Sequence, residues 1–161
     1  MISTVQNIEN LTLNINQEIH VRASLDATFA ALLEEMGPGN ETHDGKPLPM
    51  KIEARPGGRW YRDLGEDNGH FWGLVQAIKR PTLLEITGPL FMSYPVVSNL
   101  QYRLSEVDGG TLIAFRHTAL GFIADDYKEG MSVGWTHLLS RVRRQAQALG
   151  SARTAGRGAE R

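Results

Sequence analysis

Residues 11–36 read LTLNINQEIHVRASLDATFAALLEEM, a strand pattern followed at once by a helix pattern. From Leu11 to Ala23 the odd positions are apolar except for Gln17 and the even positions are polar, which predicts a strand with one face in the core and one in water. Ser24 can cap a helix whose apolar residues recur at helical spacing, and Gly37-Pro38-Gly39 ends it. The stretch therefore predicts one half-buried strand followed by one amphipathic helix.

Six further short strands are predicted after this helix, because alternating runs are separated by clusters of Gly, Pro, Asn and Asp. They are Met50–Arg55, Arg59–Leu64, His70–Lys79, Leu83–Thr87, Val96–Val107 and Thr111–Thr118. From Asp125 or Asp126 onward, apolar residues advance by four, four, three and four positions, which predicts one face of a long helix. These residues are Tyr127, Met131, Trp135, Leu138 and Val142. The sequence thus predicts an α+β protein in which a long C-terminal helix covers a seven-stranded antiparallel sheet.

The composition fits one globular domain. The chain has 161 residues, of which 41% are hydrophobic and 22% are charged, so it can bury a sizeable core. We expect a single domain over residues 1–148. Residues 150–161 carry only small and charged side chains that bury little apolar area, and we expect residues 149–161 to form a flexible tail.

The charge balance argues against several partners. Seventeen Lys and Arg face eighteen Asp and Glu, a formal charge of −1, so nucleic acid is a poor partner. No eighteen apolar residues follow one another, so membrane insertion is not expected. The chain has no cysteine, which excludes disulfides and thiolate chemistry. Its five histidines show no metal-ligand spacing, and no phosphate-binding loop is present. We therefore expect a cytoplasmic protein without a metal or cofactor.

Five short segments follow one another in a characteristic order. They are Pro56-Gly57-Gly58-Arg59-Trp60, Gly73-Leu74-Val75 running to Pro81-Thr82-Leu83-Leu84-Glu85, Gly109-Gly110-Thr111, Phe115-Arg116-His117-Thr118 and Gly134-Trp135-Thr136-His137-Leu138-Leu139. Over residues 11–147 this series resembles the SRPBCC or START-like superfamily, in particular its branch similar to the activator of the heat-shock protein 90 ATPase (AHSA-like). The resemblance implies a helix-grip fold, in which a curved sheet wraps around the C-terminal helix and leaves an internal cavity. Relatives include lipid carriers, hormone receptors, cyclases and co-chaperone modules, so the activity, a stress-response role, a chaperone partner and a homodimer stay open.

One segment departs from the AHSA-like pattern. Such relatives commonly carry a tryptophan shortly after the first helix, whereas this chain has the polar run Asn40–Pro47. We therefore expect the entrance of the cavity to be rebuilt here.

Two residues are the main candidates for contacts with a ligand. His117 shares strand parity with Ile113 and Phe115, which places it on the buried face as a ligand contact, a proton shuttle or a hydrogen-bonded core histidine. Trp135 lies on the helix face that points to the sheet. Its indole is either a cavity wall whose N–H binds a ligand oxygen or an ordinary core side chain.

Aromatic and thioether side chains are concentrated in the middle of the chain, which suits either an adaptable apolar pocket or a plain core. The predicted wall residues besides Trp135 are Trp60, Phe71, Tyr102, Phe115 and Met131.

Two charged residues have an undecided facing. Arg62 shares parity with Trp60 and would anchor a carboxylate or phosphate if it pointed inward, or reach solvent from a strand edge. Glu85 lies between the apolar Leu84 and Ile86, so strand alternation predicts that it faces outward. The family pattern, by contrast, often has apolar residues at the positions of Glu85 and Thr87, which would place this face of the strand inward. An acid–base pair of Glu85 with His117 is the alternative that an inward Glu85 would allow.

The leading hypothesis is a protein that binds a small apolar or amphipathic molecule between sheet and helix, with His117 as the polar contact. The second is a cyclase, hydrolase or lyase that uses the same cavity, in which His117 and a carboxylate or Tyr102 move protons. The third is a module that interacts with a chaperone ATPase through its outer surface. Catalytic residues are not assigned by the sequence.

Overall fold

The structure, a computed structural model, describes residues 8–91 and 93–158. Its seven strands are β1 (Thr12–Val21), β2 (Lys51–Ile52), β3 (Arg59–Gly65), β4 (Asn68–Lys79), β5 (Leu83–Gly88), β6 (Val96–Val107) and β7 (Gly110–Gly121). They form one antiparallel sheet in the order β1-β7-β6-β5-β4-β3-β2. Strands β2 to β7 are a meander, and β1 pairs with β7, so the strand that opens the chain lies beside the last strand.

Two helices complete the fold. Helix α1 (Leu25–Met36) follows β1, and α2 (Asp125–Gly158) follows β7. A short 3-10 helix, Ile8–Leu11, precedes β1. Helix α2 packs against α1 and β1 and covers the apolar face of the sheet. The predicted α+β helix-grip architecture, with a seven-stranded sheet and a long C-terminal helix, is confirmed.

The first strand and helix form as their local sequence dictates. The Ser24 hydroxyl accepts a hydrogen bond from the Ala27 N–H at 3.2 Å, which satisfies one of the free donors in the first turn of α1. Ile15 and Val21 are buried on the inner face of β1. Gln17, the exception in the apolar pattern, donates from Nε2 to the Ser132 carbonyl oxygen at 3.0 Å. This residue therefore ties β1 to the long helix.

Strands β2 and β7 differ most in length from their predicted bounds. Strand β2 covers Lys51–Ile52 rather than Met50–Arg55, because the chain turns there and the Gly58 N–H donates to the Arg55 carbonyl at 2.9 Å. Strand β7 continues past Thr118 to Gly121, since β1 pairs with it up to Leu120 and β6 pairs with it up to Gly121.

The core lies between the inner face of the sheet and the two helices. Each large side chain buried there stabilises the fold by roughly 1.5–3 kcal/mol relative to an exposed position. Fully or almost fully buried residues include Leu32 and Met36 of α1, Leu84, Ile86, Leu100, Tyr102, Ile113 and Phe115 of the sheet, and Leu139, Val142 and Ala146 of α2. The predicted inward face of α2 is buried at Met131, Trp135, Leu138 and Val142, whereas Tyr127 is 41% exposed near the start of the helix.

Helix α2 continues to Gly158, ten residues beyond the predicted domain boundary at 148. The expected flexibility of residues 149–161 stays a prediction, and residues 159–161 lie outside the described part of the chain. Within residues 8–91 and 93–158, neither helix contains a stretch apolar enough to cross a membrane.

Candidate ligand-binding cavity

A cavity of about 450 Å³ lies between the first half of α2, the loop of residues 37–49 and the β3–β4 end of the sheet. This volume falls within the range of small-molecule sites in proteins. Its lining residues are Asn40, Glu41, Thr42, His43, Leu48, Trp60, Trp72, Phe91, Asp126, Tyr127, Gly130, Met131, Gly134, Trp135 and Leu138.

Five aromatic side chains contribute to the wall of the cavity. Trp60 and Trp72 meet edge to face with ring centroids 5.0 Å apart, and Trp72 meets Phe91 at 5.6 Å. Phe91 stacks on Tyr127 at 6.4 Å. Such offset and edge contacts are favourable between aromatic rings, so they hold the wall in place without a ligand. All three tryptophans of the chain line this cavity.

The polar atoms of these indoles are bonded to the protein. The Trp60 Nε1–H donates to the Met36 carbonyl oxygen at 2.7 Å, and the Trp72 Nε1–H donates to His70 Nδ1 at 2.9 Å. The Trp135 Nε1–H donates to His117 Nδ1 at 3.1 Å, so it is not free for a ligand oxygen as one prediction supposed. The tryptophans therefore offer apolar surface to the cavity and no hydrogen-bond donor.

His117 lies behind Trp135 and not on the cavity surface. It is fully buried, and its two ring nitrogens contact Trp135 Nε1 and, at 3.0 Å, the Ser98 hydroxyl. Because Nδ1 accepts from the indole, the neutral ring carries its proton on Nε2 and donates to Ser98. Burial lowers the pKa of His117 to about 4. The ring is thus a neutral core histidine, bonded to two side chains rather than to backbone.

Three of the eight predicted binding residues line the cavity, namely Trp60, Met131 and Trp135. Tyr102 and Phe115 are buried in the adjoining core with ring centroids 4.8 Å apart. The Tyr102 hydroxyl contacts Met36 Sδ at 3.3 Å, and burial raises the pKa of this phenol. Phe71 is 45% exposed, because its neighbour Trp72 takes the inward position on β4 and successive strand residues face opposite ways.

Neither charged candidate reaches the cavity. Arg62 is partly exposed on β3 and is not among the lining residues, so its predicted contact with a ligand headgroup is not supported. Glu85 accepts hydrogen bonds from Asn99 at 2.8 Å and from Gln101 at 3.3 Å. Leu84 and Ile86 on either side are fully buried, so Glu85 lies on the outer face and cannot pair with His117.

The loop of residues 37–49 contributes residues to the site that were not predicted from the sequence, although a rebuilt entrance was expected there. Side-chain contacts with α2 hold this loop. Arg141 binds the buried Glu35 at 2.6 Å, the Gly39 carbonyl at 3.1 Å and Glu41 at 2.8 Å. His137 contacts the same Glu41 oxygen at 2.8 Å, and its hydrogen bond, with Arg141, holds the pKa of Glu41 below its usual range. A spacing rule could not find this network, because its members lie about a hundred residues apart in sequence.

Two glycines of α2 create part of the space. Gly130 and Gly134 lie one helical turn apart, and a Cβ atom added to either would meet no heavy atom within 4 Å. Side chains at these positions would therefore project into the cavity. Among the described residues no cluster of three His, Asp or Glu could hold a metal ion.

Several solved structures share this fold. The di-domain ARO/CYC StfQ from the steffimycin biosynthetic pathway matches with a TM-score of 0.66 and 11% identity over 89% of this chain and 53% of that chain. This chain thus spans about half of that protein. Ara h 8.0201 matches with a TM-score of 0.62 and 14% identity over 85% and 99% of the two chains. CalU16 from Micromonospora echinospora matches with a TM-score of 0.54 and 23% identity over 89% and 86%. At these identities the likeness shows the fold alone, which is the helix-grip fold.

The family is given by sequence. Residues 45–145 match the family described as Activator of Hsp90 ATPase homolog 1-like protein. The chain belongs to this family, as its resemblance indicated. A comparison with curated proteins gives no significant match.

Proposed function

We propose that the protein binds a small apolar or amphipathic molecule in the cavity beside the first half of α2. The observation that carries the proposal is a cavity of about 450 Å³ whose mainly apolar wall includes five aromatic side chains. Burying a flat apolar molecule against these rings removes apolar surface from water, at roughly 25 cal/mol per Å². The interlocked rings pre-organise the site, so little ordering has to accompany binding.

The enzyme hypothesis receives less support from the same geometry. A general acid or base must come within hydrogen-bond reach of the reacting group. His117 is shielded by Trp135, and both of its nitrogens are bonded to protein groups. Tyr102 is fully buried outside the cavity wall. A chaperone partner, a homodimer, a stress-response role and a cytoplasmic location stay predictions.

Native mass spectrometry tests the proposal. Protein purified from its natural source is measured under native and denaturing conditions, and we expect a non-covalent mass excess that disappears on denaturation. The released molecule, added back to stripped protein, should change the tryptophan emission, because every tryptophan of the chain contacts the cavity. A bound molecule that leaves the emission unchanged would place binding elsewhere. A protein without a mass excess that also fails to bind neutral apolar probes would contradict the proposal.

A further inference from the structure

Asn40 is a polar residue of the cavity wall whose side-chain amide atoms are accessible from the cavity. It is 8% exposed and lines the cavity. Its backbone is fixed, since its N–H donates to the Gly37 carbonyl at 3.1 Å and its carbonyl accepts from the Leu48 N–H at 2.9 Å. No residue in the described part of the chain forms a hydrogen bond with its side-chain amide. Because the amide makes no hydrogen bond to the protein and lines the cavity, its oxygen and its N–H groups can bond a polar group of a ligand there.

The neighbouring groups determine which polar group fits. Glu41 also lines the cavity, and both His137 and Arg141 contact its Oε1. No hydrogen bond within residues 8–91 and 93–158 involves its Oε2. The Thr42 hydroxyl is already bonded to Asp44 and accepts from the Lys46 N–H at 3.1 Å. The loop end of the cavity therefore presents an amide and a carboxylate oxygen to a ligand.

Within the described part of the chain, the cavity wall offers no Lys or Arg to an anionic ligand, and His43 is its one imidazole. The lining residues include the carboxylates of Glu41 and Asp126 but no Lys or Arg. Arg141, which contacts Glu41, directs its donors to Glu35, the Gly39 carbonyl and Glu41 itself. Like charges at close range disfavour binding, and buried donors already in use cannot compensate for them.

We propose that Asn40 and Glu41 form a polar subsite that binds a hydrogen-bond-donating group, such as an amide, amine or hydroxyl, on an otherwise apolar ligand, and that it discriminates against carboxylates. An amide is the best match, because it can donate to the Asn40 or Glu41 oxygen and accept from Asn40 Nδ2. This inference rests on the proposed function, since it concerns the polar end of the same cavity.

Three probes with one aromatic body test the subsite, namely 2-naphthamide, 2-naphthoate and 2-methylnaphthalene, titrated at pH 7 with tryptophan emission as the readout. We expect the amide to bind at least about ten-fold more tightly than the ionised carboxylate. Asn40→Leu should abolish the advantage of the amide over the methyl compound while the methyl compound keeps its affinity. Asn16→Leu, on the outer face of β1, is the matched control and should change nothing.

Glu41→Gln provides a second arm that does not depend on the fold tolerating a change at Asn40. It removes a negative charge from the cavity and should narrow the gap between the amide and the carboxylate. Equal binding of amide and carboxylate to the unaltered protein, or a preference that survives both substitutions, would overturn the subsite while binding of the methyl compound still upheld the cavity. Failure of all three probes to bind would overturn both proposals.

Discussion

Lowering the pH from 7 to 5 should weaken the fold through His117. The buried ring has a pKa of about 4, against its ordinary value of 6.5, because burial disfavours the charged form. A group with a lowered pKa in the folded state contributes stability that is complete above its unfolded pKa and is lost as the pH falls toward its folded pKa. The contribution is therefore complete above about pH 6.5 and disappears between pH 6.5 and 4.

The size of the effect follows from the two pKa values. Their difference corresponds to about 3 kcal/mol in total, at about 1.4 kcal/mol per pH unit. Between pH 7 and 5 about 2 kcal/mol of this should be lost. Carboxylates such as Glu53, whose pKa the Arg59 guanidinium lowers to about 2, lose their contribution only below about pH 4.5 and so fall outside this window.

Urea denaturation at pH 7, 6 and 5 measures the loss as a change in the free energy of unfolding. The matched variant is His117→Gln, because glutamine can accept from Trp135 and donate to Ser98 but does not titrate. We expect the variant to lose most of the pH dependence between pH 7 and 5, whatever its stability at pH 7. The same slope in both proteins would refute the reasoning, because it would mean that His117 is protonated equally in the folded and unfolded chains.

A substitution in α2 and a deletion of the C-terminal segment test other parts of the structure. Arg141→Met should destabilise the protein by roughly 3–5 kcal/mol in chemical denaturation, because it leaves the buried carboxylate of Glu35 without its partner. The control Arg143→Met, at an exposed position of the same helix, should cost less than about 0.5 kcal/mol. Equal effects of the two substitutions would contradict the assigned network. Deletion of residues 150–161 should leave the thermal midpoint within about 2 °C of the full chain, since Ala146 is the last residue of α2 in the described core, and a drop of several degrees would show that the segment docks.

Local patterns in the sequence were sufficient to predict most of the fold. Alternation predicted β1, the cap and spacing predicted α1, and helical periodicity placed Met131 and Trp135 on the inward face of α2. These features depend on neighbours a few residues apart, so no tertiary information is needed to read them.

The candidate site was harder to predict, because strand parity and long-range contacts decide it. Phe71 and Trp72 are adjacent aromatic residues, so only one of them can face the core. Because the pairing of β3 with β4 contains register shifts, alternation along β3 from Trp60 does not tell which residue of β4 faces the core. His117 was correctly placed on the buried face, but nothing in the sequence showed that Trp135 would cover it. Asn40 lies in a loop held by Arg141, a contact that only the folded chain brings together.

The most direct test of binding in the cavity is a titration of the neutral dye Nile red into three proteins, the unaltered chain, Gly134→Leu and Gly150→Leu. Both substitutions add leucine to a glycine of α2 where a Cβ meets no atom within 4 Å, but only Gly134 lines the cavity. Each should leave the fold intact or stabilise it by up to about 1 kcal/mol, since leucine favours helix over glycine. We predict that Gly134→Leu weakens dye binding at least about ten-fold while Gly150→Leu leaves it unchanged. Equal dye affinity in all three folded proteins would contradict the account, because the dye would then bind outside the cavity.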